Sequence, residues 1–287
     1  MLRHNRVLWK SGVSTLNDLS KKLSDPLSGA EVIPFLTATD AIFIGSDLPF
    51  NHRWFEVSVA NNVVASPSVA VWDGSTWIPC VDVIDETVAS GGKTLSQSGL
   101  ISWVPDRLDS SWSRIDFTEE LPDSEILSTV KIYDLYWVKM TFNANLRAST
   151  SLGYIGHKFS SDSDLFAEYP DLNNTDLMTA FASGGTKTDW KDQEFLAAEY
   201  IIQDLRNLQV IWSKNQILDP QLFKSASVHK TAEIIYRSFG DDYKDDKESS
   251  AQAYKQCMSK KSFNVDLNLN ATLDEKETQP TTNWMTR

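Results

Sequence analysis

The chain changes its hydrophobic period once, near residue 150, and that change limits it to a fold with two unlike parts. Before it, Phe55, Val57 and Val59 alternate with Glu56, Ser58 and Ala60, the period of two that sets every second side chain on one face of a sheet. After it, Phe195, Ala198, Ile202, Leu205 and Trp212, with Ile201 and Leu208 beside them, recur at three and four residues, the spacing of a helix with one apolar side. The length of 287 residues holds both parts at roughly 100 to 200 residues per domain. The expected class is therefore α+β, an N-terminal antiparallel β-sandwich joined to a C-terminal α-helical bundle with an extended arm. The expected divisions are an N-terminal segment over 1–29, a Trp-rich sandwich over 30–145, a linker with a short helix over 146–188, the bundle over 189–262 and a docking arm over 263–287.

The clearest strand signal is a hairpin, in which Val69-Ala70-Val71-Trp72 and Thr76-Trp77-Ile78-Pro79-Cys80-Val81 flank Asp73-Gly74. Asp-Gly supplies the positive φ of a tight turn. Pro79 cannot donate to a ladder, which assigns its strand to a sheet edge or a bulge. Further strands are predicted over 100–104 and 130–142, the latter with Tyr136, Val138, Met140 and Phe142 on one face. Ten Trp, with 13 Phe and 8 Tyr, make 11% of the chain aromatic. Six of the tryptophans, Trp54, Trp72, Trp77, Trp103, Trp112 and Trp137, fall in the strand region. Two roles are open to them. Their rings fill a two-sheet core, each indole N–H satisfied locally, or an exposed subset stacks on sugars, for which Trp103 and Trp112 are the candidates. Placement inside strand patterns favours the core role, and Trp112, among Asp109, Ser110, Ser111 and Ser113, is the one expected to be most exposed.

In the second half Asp219-Pro220 is a helix start and Gly240 a stop, with Val228, Ala232, Ile235 and Phe239 as the stripe between them. A third helix is predicted over 242–261, with Ala251, Tyr254 and Met258 facing inward. Beyond it Val265, Leu267 and Leu269 alternate with Asp266, Asn268 and Asn270, and Trp284 stands alone on a polar tail. That pattern reads as an extended docking arm, with Val265, Leu267, Leu269 and Trp284 as its contacts.

Composition excludes more chemistry than it offers. Lys and Arg number 27 against 39 Asp and Glu, a net charge of −12, and nucleic-acid wrapping rests on clustered cations. Cys80 and Cys257 are far apart in sequence and suit two unpaired thiols in a reducing cytoplasm. No run approaches the roughly eighteen apolar residues of a membrane helix, so a soluble chain with no membrane partner is expected. His4, His52, His157 and His229 form no H-E-x-x-H or comparable arrangement, and there is no G-x-S-x-G elbow. Neither an enzyme nor a cofactor is expected. A weak calcium-like spacing is present at Asp266, Asn268, Asn270, Asp274 and Glu277, with Ala271 where the loop's sharp turn calls for glycine. No metal is expected there.

The runs Asp192-Gln193-Glu194-Phe195-Leu196-Ala197-Ala198-Glu199-Tyr200-Ile201-Ile202, Leu218-Asp219-Pro220, His229-Lys230-Thr231-Ala232-Glu233-Ile234-Ile235-Tyr236 and Ala253-Tyr254-Lys255, together with Phe263-Asn264-Val265-Asp266, are similar to the head-to-tail adaptor (connector, or neck) proteins of tailed bacteriophages. The resemblance covers residues 189–277 and rests on helix positions. It implies a structural virion protein at the head-tail junction, made in the bacterial cytoplasm. Such a protein forms a ring, commonly dodecameric, between portal and tail or neck proteins, and DNA passes through without specific binding. The acidic balance is compatible with such a conduit, because an acidic inner surface repels phosphate. The alternative is a carbohydrate- or receptor-binding virion protein that works through its sandwich.

Overall fold

A computed structural model describes residues 5–12, 15–89, 91–105, 112–115, 135–182, 186–259, 263–273 and 277. It is mixed α and β, with two antiparallel sheets and helices concentrated in the C-terminal half. The chain divides into two compact units, Met1–Gly156 with Asp266–Thr272, and His157–Val265 with Leu273–Arg287.

In the first unit the strands are β1 (Arg6–Ser11), β2 (Thr15–Asp18), β3 (Glu31–Val32), β4 (Ala41–Ser46), β5 (His52–Val59) and β6 (Pro67–Trp72). They continue with β7 (Trp77–Pro79), β8 (Val81–Asp85), β9 (Gly99–Val104), β10 (Arg114–Ile115), β11 (Leu135–Phe142) and β12 (Ser151–Gly156). One sheet runs β2-β1-β4-β11-β6-β7 with β10 beside β11, and the other β3-β12-β5-β9-β8. The first sheet starts earlier than the sequence pattern announces, because β1 pairs with β4 from Arg6↔Gly45 to Lys10↔Ala41. It is also where Pro79 finds its edge, on β7, with no outer strand among the described residues to need its missing N–H. The hairpin before it is wider than a two-residue turn. Trp72 pairs with Trp77, Gly74 has φ +104°, and the Asp73 carboxylate accepts from the Ser75 and Thr76 N–H groups at 2.7 Å each.

Period two in the first sheet separates two apolar clusters. Val7, Ile42, Ile44, Val69, Val71, Val138 and Met140 join Phe55, Ile101, Trp103, Leu152 and Ile155 of the second sheet in one. Their neighbours Leu8, Ala41, Phe43, Trp72, Leu135 and Trp137 form the other. Three tryptophans thus pack away from the shared cluster: Trp72 and Trp137 are buried in the second group and Trp77 packs against it. Trp137 lies over Gly45, its partner across the ladder, where an added Cβ would stand 2.8 Å from the ring. The expectation of locally satisfied indoles fails for most. Trp54 donates to Glu56 Oε2 at 3.0 Å, whereas the buried Nε1 atoms of Trp9, Trp72, Trp77, Trp103, Trp112 and Trp137 have no hydrogen-bond partner among the described residues. Edge-on ring contacts, such as Trp72 on Trp77 with centroids 5.4 Å apart, offset part of that cost. These rings stabilise through area and ring geometry.

In the second unit the helices following the four-residue α1 (Ser20–Leu23) are α2 (Asp162–Glu168), α3 (Thr175–Phe181), α4 (Lys191–Asn207), α5 (Lys224–Arg237) and α6 (Lys244–Met258). The predicted linker over 146–188 is structured in its described part. It supplies β12, which pairs with β5, and it supplies α2 and α3. Leu165, Leu172 and Met178 of that stretch are buried with Trp190, Val228, Ala232 and Ile235, so its large apolar residues contribute to the core. On its other side α5 presents Ala226, with Phe223, to Ile201, Ile202 and Leu205 of α4 and Tyr254 and Met258 of α6. Asp219 caps the turn Pro220–Phe223 that leads into α5, accepting from Gln221 N at 3.2 Å. Gly240, at φ +69°, stands just after the helix. α6 ends at Met258, a turn short of the predicted 242–261.

The start of α4 is fixed by charge. Lys158 and Glu194 form a buried ion pair at 2.5 Å, and Trp190 N donates to Asp162 Oδ1 at 2.8 Å. Burial pushes the Asp162 carboxyl above its ordinary value, against the pull of that N–H and of Lys158. Among the described residues no helix is long and apolar enough to cross a membrane.

Candidate functional site

In its described residues, 263–273 and 277, the predicted arm forms no extended strand. Val265 is buried in the helical unit, where it makes an antiparallel bridge with Ile217, and Leu218 N donates to Asn264 O at 3.2 Å. It is thus a core residue rather than a docking contact. Beyond it the chain turns repeatedly: Leu269 and Ala271 have φ +62° and +58°, and Asp266 accepts from the Asn270 and Ala271 N–H groups at 3.1 and 2.8 Å. Alternation in the sequence predicted an extended backbone. The Asp and Asn side chains instead fold the backbone around themselves, as these residue types do in turns. Leu267 is left 66% exposed, and Leu269 is half-buried. Trp284 and Asp274 lie outside the described residues. Asn268 is exposed, and its Oδ1 accepts from Asn270 N at 3.2 Å; Glu277 is buried. Among the described residues no three His, Cys, Asp or Glu side chains are grouped to hold a metal.

Trp103 and Trp112, the glycan candidates, offer little free face. Trp103 is buried with its ring 5.6 Å from Phe50, and Trp112 packs on both Phe50, at 5.5 Å, and Tyr136, at 5.8 Å. Phe50 also carries the Arg53 guanidinium 3.7 Å above its ring. Burial brings Arg53 down to about 9, still protonated at neutral pH. His52 beside it is pushed down to about 3 by burial, with Arg53 adding to the effect. It is a neutral core histidine.

A cleft of about 410 Å³ opens in the helical unit beside Asp164, Glu168, Lys224, Ser225 and His229. His229 Nδ1 meets Tyr169 Oη at 2.8 Å, its Nε2 meets Ser225 Oγ at 3.4 Å, and Lys224 is paired with Asp164 at 2.6 Å. Burial lowers His229 and raises Tyr169 to about 12, so both are neutral near pH 7. The histidine is engaged at both nitrogens, and the cleft's lysine is neutralised.

The surface that stands out was not predicted. Within the described residues of the helical unit, the large apolar side chains left exposed are Leu196, Tyr200, Leu208 and Trp212, at 40, 36, 42 and 62%. All lie on α4 or at its exit. The sequence pattern placed Leu208 and Trp212 in the inward stripe, but the helix closes at Asn207 and Gln209 turns the chain at φ +58°. No Gly or Pro marks that stop, so periodicity ran past it. Beside Leu208 the ends of α4 and α6 leave an apolar groove of about 290 Å³, lined by Asp204, Asn207, Tyr254 and Met258 among others. Tyr254 Oη donates to Asp204 Oδ2 at 2.5 Å and holds one wall; burial raises that phenol well above its ordinary value. The groove and the exposed side chains are largely apolar, the chemistry of a surface that another molecule can cover. Comparison of the chain with protein-family models, curated proteins and solved structures finds no match.

Proposed function

We propose that this chain is a structural virion protein, a head-to-tail adaptor that forms a ring between portal and tail and borders the channel through which DNA leaves. The observation that carries the reading is the grouping of the helical unit's exposed apolar side chains on α4 and its exit. Scattered exposed apolar residues are ordinary, whereas grouped ones mark contact with another protein. The resemblance of residues 189–277 to phage adaptors supports the same reading, and so does the net charge of −12, which suits a conduit that repels phosphate. In this reading α4, α5 and α6 form the ring-building bundle. The two sheets, which share one apolar cluster, form a sandwich added to it. In this reading the docking contacts of the arm are Leu267, which is exposed, and Trp284, which lies outside the described residues.

The carbohydrate-binding alternative loses its main support, because the rings of Trp103 and Trp112 are occupied by Phe50 and Tyr136. Negative-stain microscopy of the purified protein, alone and with the portal of the same virion, tests the proposal. Rings seated on the portal are expected. A chain that stays monomeric with the portal present would overturn it.

A further inference from the structure

We infer that the cleft beside α2 and α5 is a hydrolytic site for small neutral or cationic esters, with Ser225 as nucleophile, His229 as its general base and Tyr169 as the group that orients the base. The inference is independent of the ring reading above.

Ser225 and His229 stand four residues apart on α5, so helical spacing puts both on one face. Both line the cleft of about 410 Å³, a volume that suits a small ester. Tyr169 comes from the end of α2, where its own N–H closes on Leu165 O at 2.8 Å and its ring is edge-on to those of His229 and Tyr236. Its Oη meets His229 Nδ1 at 2.8 Å. With the proton on Nδ1, donated to that oxygen, Nε2 keeps its lone pair and faces the Ser225 hydroxyl at 3.4 Å. Nucleophile, base and orienter in that order are the arrangement of serine acyl transfer, and a contact of this length tightens when substrate arrives. Burial holds His229 below its ordinary value, so it is a free base near pH 7. No G-x-S-x-G surrounds Ser225, and Tyr169 is 60 residues from His229, which is why the sequence pattern does not announce the site.

The reaction balances with water as co-reactant. Ser225 Oγ bonds to the carbonyl carbon and its proton passes to His229 Nε2. The bond to the alcohol oxygen then breaks, and the alcohol leaves with that proton. Water attacks the acyl group, His229 returns a proton to Ser225 Oγ, and the carboxylic acid is released. Lys224 has three donors, of which the bond to Asp164 at 2.6 Å uses one, so its ammonium serves the oxyanion as well. Ser225 lies in the first turn of the 14-residue α5, where the positive end of the helix favours its alkoxide. The carboxylates of Asp164 and Glu168 outnumber the Lys224 ammonium in the lining, which disfavours an anionic ester.

The test uses the full unaltered chain and a neutral alkyl fluorophosphonate, from which a serine oxygen displaces fluoride. Phosphonylation located at Ser225 by peptide mapping is expected, and His229→Gln should slow it at least about 100-fold, the size of general-base assistance. The urea midpoint of that variant shows whether it is folded. With choline and nitrophenyl esters as substrates, Ser225→Ala should abolish turnover, and Tyr169→Phe should lower kcat while leaving KM, the mark of an interaction made in the transition state. A folded, unaltered chain with no label on Ser225, or ester turnover that survives Ser225→Ala, would overturn the inference. Labelling that is unchanged in folded His229→Gln would overturn it too, and faster turnover of a succinyl than of a choline ester would overturn the substrate class.

Discussion

The two units dispose of their large apolar residues in opposite ways. The sheet unit packs both faces of its first sheet, sending Ile42 and Ile44 to one side and Ala41 and Phe43 to the other. What it leaves exposed is spread over several strands and loops, among them Val32 on β3, Val81 and Ile84 on β8, and Leu27, Leu36, Val63 and Val64 between strands. A register shift between Val81 and Ile84, with Asp82 at φ +50°, bends β8 and spoils it as a template for another strand. The helical unit is smaller and leaves its exposed apolar residues together. Dispersed exposure needs no partner to explain it, whereas exposure carried by one element is what the proposed ring contact would cover.

The sheet unit should be the more sensitive to loss of a ring. Trp137 is fully buried on Gly45, and Trp137→Ala should cost about 3 to 5 kcal/mol in urea unfolding. A loss below about 1 kcal/mol would mean that the outer cluster is not a second core. The counterpart in the helical unit is Glu194→Ala, which leaves the Lys158 charge buried without its carboxylate. A loss of about 3 kcal/mol is expected, with increased hydrogen exchange at the start of α4. Replacing both residues, by Lys158→Met with Glu194→Leu, should recover most of it, because an apolar pair has no desolvation cost to repay.

Strands and helices were legible where side chains alternate or recur against a filled core. Val138 with Met140, and Ala198 with Leu205, are cases. Pro79 gave its own edge away by lacking a donor. Legibility failed where the partner is distant in sequence. Nothing local in Arg6–Ser11 announces pairing with β4, and the buried residues around α2 and α3 are too few to set a period until α5 supplies the opposing face. It failed also where polar side chains override a pattern, as Asp266 and Asn270 do to Leu267 and Leu269. The exposure of Trp212 was hidden for a related reason. An outward Trp212 and an inward one have the same spacing, and only the turn at Gln209 separates them.

Acid should reach the sheet unit first. The unfolded chain binds a proton at His52 near pH 6.5, but the folded unit resists it down to about 3. The contribution is complete above about pH 6.5 and is lost as pH falls, by about 1.4 kcal/mol per unit. His229 in the helical unit shifts the same way. Asp162, held above its ordinary value, works in the opposite direction and favours the folded helical unit in acid. Between pH 6.5 and 4.5 the His52 share should be about 2 to 3 kcal/mol. Hydrogen exchange in β5 should rise over that range more than in α5, and His52→Gln should show a flatter pH dependence than the unaltered chain. Equal acid sensitivity in the two units would contradict the comparison.

The smallest expected effect on stability separates packing from docking most cleanly. Trp212 is the largest exposed side chain among the described residues of the helical unit, and its indole does little for the fold that a smaller residue could not, since Gln216 holds the backbone. Trp212→Ala should therefore change the urea midpoint of dilute, unassembled protein by less than about 0.5 kcal/mol, a tenth of the Trp137→Ala effect or little more. In the ring reading the same substitution should weaken self-association. A destabilisation of 2 kcal/mol or more in the dilute protein would make Trp212 a folding residue, and would return the gathered exposure on α4 to the ordinary kind found across the sheet unit.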